Sequence, residues 1–125
     1  MEKKRDGAKT TVLDQNLLKT TYSDGCIINA ALLENIRSEY TRISGNKNLD
    51  QLKLMLVFEG GIQVSRDVGQ RYLVERIRPK IGEALVASNP QTAEYLKAAT
   101  AVMKSSHPVQ FFENEDDAKN WLLSL

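Results

Sequence analysis

Ser65 is the sharpest candidate for chemistry in this chain. It stands in Val64-Ser65-Arg66-Asp67, at the start of an expected helix that runs from Ser65 to about Arg78. A phosphate on its hydroxyl would sit at the positive end of that helix and beside the Arg66 guanidinium, and both favour the added charge. The plainer role is a helix N-cap, in which the hydroxyl accepts a backbone N–H of the first turn. Both roles can hold at once. Arg66, Arg71 and Arg76 follow on the same segment, with Arg78 and Lys80 beyond, and form a candidate anion or partner surface. Asp67 and Glu75 dilute its field, and Asp67 with Arg71 makes an i, i+4 pair typical of a solvated helix face.

The other reactive residue types are sparse. His107 is the single histidine and Cys26 the single cysteine. Together they make neither a zinc site nor a persuasive nucleophile–base pair. His107-Pro108 reads as a loop with an extended residue before proline, and Cys26 as a small apolar residue. Gly60-Gly61 precedes a helix, but no Lys-Ser/Thr follows and neither phosphate-loop spacing is met. The pair reads as the release of a buried strand into a turn. Glu115, Asp116 and Asp117 are consecutive, so a helix splays them apart, and their place at a helix start explains them. With no paired carboxylates, nucleophile elbow or metal ligand set, the sequence offers no catalytic constellation, metal site or cofactor site, and the expectation is a protein that is not an enzyme.

The elements that must position these residues follow from periodicity and punctuation. Residues 1 to about 8 read as a frayed, charged start. Lys9 to Leu13 and Leu17 to Thr21 read as a β-hairpin around Asp14-Gln15-Asn16. Asp24-Gly25 marks a turn. Asn29 caps a helix with Leu32, Leu33, Ile36, Tyr40 and Ile43 on one face, which Gly45 stops. Leu52 to Phe58 contains an unbroken apolar run, the mark of a strand buried on both faces. After the Ser65 helix, Pro79 breaks the pattern and Glu83 to Ala87 is the next strand. Asn89-Pro90 opens a third helix whose inward stripe includes Tyr95 and Leu96. Val109 to Phe112 is a last strand, and Asn114 caps a last helix with Ala118, Trp121, Leu122 and Leu125 on one face. Alternating strands and helices predict a mixed α/β sheet of about five strands, mostly parallel, with about four helices.

Composition fits that reading. The 125 residues form a single expected domain, 1–125, with enough chain for a core. Seventeen basic against sixteen acidic residues leave a net charge of +1, without the basic excess of a nucleic-acid binder. One cysteine excludes an intramolecular disulfide. No signal-peptide pattern opens the chain and no run is long enough for a spanning helix, so the expected location is cytoplasmic, with no stable membrane insertion.

Three stretches carry a family resemblance. The first is Leu54-Met55-Leu56-Val57-Phe58 through Val64-Ser65-Arg66-Asp67 to Arg71-Tyr72-Leu73. The second is Glu83-Ala84-Leu85-Val86-Ala87-Ser88 leading into Asn89-Pro90. The third is His107-Pro108-Val109-Gln110-Phe111-Phe112 followed by Glu115-Asp116-Asp117-Ala118-Lys119-Asn120-Trp121-Leu122. In order and spacing the chain from about Leu17 onward resembles SpoIIAA-like proteins, relatives of the STAS domain, and within them a bacterial STAS/SEC14-like branch. The resemblance implies a SpoIIAA-like fold and a regulatory or interaction module that binds a partner protein. It also implies a phosphoacceptor position at Ser65, although the Asp-Ser-Ser-Gly-like run of that family is absent here. The SEC14-like relationship implies an alternative, a small apolar-ligand or lipid-binding domain with Tyr72, Tyr95 and Trp121 lining a groove. An exposed sheet edge would further permit a homodimer.

Overall fold

Leu54-Met55-Leu56-Val57-Phe58 lies, as its unbroken apolarity predicts, in the middle of a sheet. The computed structural model describes residues 7–45, 51–66, 81–102 and 107–125. Its elements are β1 (Ala8–Asp14), β2 (Leu17–Tyr22), β3 (Cys26–Ile28), α1 (Ala30–Ser44), β4 (Lys53–Phe58), β5 (Ile62–Val64), β6 (Gly82–Ala87), α2 (Pro90–Val102), β7 (Val109–Phe112) and α3 (Glu115–Leu123). The expected helix after Ser65 falls on residues outside those described, from 67 to 80. Among the described residues there are three helices where about four were expected. Ala8, at the boundary of the start expected to be frayed, is in a strand, and residues 1–6 lie outside those described.

The main sheet has the order β1-β2-β4-β6-β7. β1 and β2 pair antiparallel, and β2, β4, β6 and β7 run parallel. A β-bulge interrupts β1: Val12 pairs with Leu18 but Asp14 with Leu17, leaving Leu13 as the extra residue. The sequence did not signal β3 and β5, which pair in parallel as a separate two-stranded sheet.

Alternation along the strands builds two cores. Leu18 and Tyr22 of β2, Leu54, Leu56 and Phe58 of β4, and Leu85 and Ala87 of β6 point to one face, against Leu32, Leu33, Ile36 and Tyr40 of α1 and Leu96 of α2. Leu17, Met55, Val57, Ala84 and Val86 point to the other, against Ala118 and Leu122 of α3. Both crossover helices α1 and α2 thus lie on one face, as same-handed connections stepping in one direction across a sheet require. Each buried leucine contributes about 1.5–3 kcal/mol relative to exposure.

Helix ends follow local chemistry. Leu32 N–H donates to Asn29 Oδ1 at 2.8 Å, and Gly45 closes α1 at φ +68°, a conformation that glycine adopts without Cβ strain. Thr92 N–H donates to Asn89 Oδ1 and Asp117 N–H to Asn114 Oδ1. Glu115, Asp116 and Asp117 occupy the first turn of α3, where the helix dipole favours them. Leu125 departs from the expected stripe: it lies beyond the end of α3 and is exposed.

Candidate functional site

The C-terminal ends of the parallel strands form one rim, the usual place for function in such sheets. Two loops meet there, and the residues between β2 and β3 clasp those between β4 and β5. Gly61 N–H donates to Asp24 Oδ1 at 2.8 Å, and Gly25 N–H donates to Gly61 O at 2.7 Å. Thr92, buried at the start of α2, donates its hydroxyl to Gly60 O at 2.8 Å. A Cβ on Gly60 would collide with the Asp24 carboxylate, so glycine is needed for close approach. The Gly60-Gly61 backbone is thereby occupied by the protein's own hydrogen bonds, in keeping with the turn role expected of it.

Ser65 follows β5, at the end of the β3–β5 ribbon away from the clasp. Its N–H donates to Ile28 O at 2.8 Å, extending the β3–β5 ladder by one bond. Its side chain is half-buried, and the next residue, Arg66, is exposed. The helix expected to begin here, and with it Arg71, Tyr72 and Arg76, lies outside the described residues. Tyr95 and Trp121 are described and are not neighbours. Tyr95 packs against the core shared with α1, whereas Trp121 packs on the opposite face of the sheet, its ring 5.5 Å from Phe112. These two aromatics therefore do not line one groove, because α2 and α3 cover opposite faces.

A second group of polar side chains sits inside the core. Glu83 of β6 is buried, and its Oε1 lies 3.3 Å from Nε2 of the buried His107. Burial pushes the Glu83 carboxyl above its usual range, while the hydrogen bond and charge of His107 pull the other way. His107 lies in a loop before β7, as its sequence predicts, but its carboxylate partner is not legible there. The missing signal was the distant strand that brings Glu83 to it. Farther along the same face, Thr20 Oγ1 bonds both Thr10 Oγ1 at 2.9 Å and Tyr40 OH at 3.0 Å. Burial raises the Tyr22 and Tyr40 phenols well above their ordinary value. The Cys26 thiol is also raised by burial, which holds it in the unreactive protonated form.

Two open grooves flank α1. One, of about 470 Å³, is lined by Gly7, Gly25, Cys26, Ile27, Asn29 and Leu32 among others. The second, of about 380 Å³, lies between Ala8, Lys9 and Thr10 of β1 and Asn35, Ile36, Ser38 and Glu39 of α1. Neither touches Glu83 or His107, so this acid–base pair does not face a substrate space there. Among the described residues no cluster of three metal-ligating side chains forms, and no helix is long and apolar enough to cross a membrane. No protein-family model matches the chain, nor does any curated protein or any solved structure. The geometry defines a mixed α/β protein with a self-clasped rim and a short β3–β5 ribbon that ends at Ser65 and Arg66.

Proposed function

We propose that this chain is a STAS-like, non-enzymatic interaction or regulatory module that acts in the cytoplasm on a partner protein, with Ser65 as its phosphoacceptor. The observation that carries the reading is the position of Ser65: half-buried, one residue past β5, at the free end of the β3–β5 ribbon and followed by the exposed Arg66. A phosphate there adds nearly two negative charges and three acceptor oxygens within reach of that guanidinium, enough to reorder the loop and change what docks on it. The enclosed Glu83–His107 pair and the self-bonded glycine loop support a binding role over a catalytic one. The test is intact-mass and site mapping of the protein purified from its own cells, followed by partner binding of Ser65→Ala and Ser65→Asp. Phosphate at Ser65 and divergent binding by the two variants are expected. An unmodified serine, with both variants binding as the parent does, overturns the switch.

A further inference from the structure

We propose that β1 is a self-pairing edge, through which two copies of the chain join antiparallel about a two-fold axis at Thr11. This rests on the interaction-module reading and names one partner for it, a second copy. Three observations lead there. First, β1 pairs with β2 on one side, and among the described residues nothing pairs with its other side. Its centre, Thr10-Thr11-Val12, is β-branched and carries neither charge nor proline, while the charges and the bulge lie toward its ends. Second, Val12 is 52% exposed, an apolar side chain left open on the edge strand.

The third observation is the charge pattern. Lys9 pairs with Thr21, Thr11 with Lys19 and Asp14 with Leu17, and cross-strand partners share a face. Without the bulge, Asp14 would point opposite to Lys9, because successive side chains alternate. The extra residue Leu13 turns Asp14 onto the face that carries Lys9 and Thr11. One face of the edge thus bears a cation at one end and an anion at the other. In an antiparallel copy centred on Thr11, Thr10 opposes Val12 of the second copy. Lys9 then opposes the bulged pair Leu13-Asp14, so its ammonium meets the Asp14 carboxylate, twice by symmetry. A parallel copy would align like charges instead. Asp14 Oδ1 accepts from Gln15 N–H at 2.8 Å, and a carboxylate has further acceptor capacity for a lysine.

The contact is small, so it belongs with reversible associations, and the dimer should form at concentrations on the order of 10–100 µM. Sedimentation equilibrium of the full chain up to about 200 µM tests it. Lys9→Glu should weaken the dimer at least about tenfold, and the swap Lys9→Glu with Asp14→Lys should restore it. Circular dichroism of each variant confirms that the fold is kept. Thr11→Cys should cross-link to itself across the axis on mild oxidation, since directly opposed strand residues place their Cβ atoms within about 1 Å of the spacing a disulfide needs. A chain monomeric at the top concentration, a dimer indifferent to Lys9→Glu, or no cross-link at position 11 overturns the proposal. A monomer that still shows Ser65-dependent binding to another protein removes the β1 dimer while leaving the module reading standing.

Discussion

The two faces of the sheet are built by different rules. The face beneath α1 and α2 mixes a large apolar core with buried polar groups: Thr20 with Tyr40, and Glu83 with His107. The face beneath α3 is smaller, and its buried side chains are apolar. Its polar residues stay at the margin, where Lys19 Nζ meets Glu115 Oε1 at 2.7 Å. The broad face can hold polar groups because helices shield them and supply partners. Among the described residues the narrow face is roofed by one nine-residue helix and packs apolar side chains by shape. Stability should therefore be concentrated on the first face, and pH sensitivity as well.

The sharpest way to break that contrast is to open equal cavities on each side. Leu33→Ala, at a fully buried position of α1, should cost about 3–4 kcal/mol in urea unfolding. Leu122→Ala, equally buried but in the last helix, should cost about 2–3 kcal/mol, because a terminal helix can settle into the space. Equal losses would mean that α3 is held as rigidly as α1. Next in size, Tyr40→Phe should cost about 1–2 kcal/mol by removing one partner of the buried Thr20 hydroxyl. On the other face, Met55→Leu keeps volume and has no such bond to lose.

The pH dependence sharpens the comparison further. The folded protein holds the Glu83 carboxyl above its ordinary value, so in that window the native state binds more protons than the unfolded state. Stability must then fall as pH rises from the ordinary carboxylate value through the raised one. Urea midpoints of the parent should decline over that range more steeply than those of Glu83→Gln. A parallel decline would remove Glu83 as the source. The smallest effect is expected at the margin of the narrow face. Lys19→Ala breaks a partly exposed ion pair and should change stability by less than about 1 kcal/mol.

Local signals in the sequence already specified much of this molecule. Asn29, Gly45, Asn89 and Asn114 marked helix ends because capping is a matter of a few adjacent residues. The apolar run of β4 and the spacing of Leu32, Leu33, Ile36 and Tyr40 marked which faces go inward, since period alone decides that. The hairpin and the mostly parallel sheet followed from the same patterns. Tertiary structure alone decided what joins residues far apart in the chain. Three-residue strands such as β3 and β5 have too little pattern to be read singly and exist because they find each other. His107 acquires its buried carboxylate partner, and Asp24 its glycine loop, through strand pairings that no short window contains. The separation of Tyr95 from Trp121, and the bulge that turns Asp14 to the side of Lys9, are likewise settled by sheet register and by which face each helix covers. Propensity and period act over neighbouring residues, whereas register and burial are fixed by the whole sheet at once.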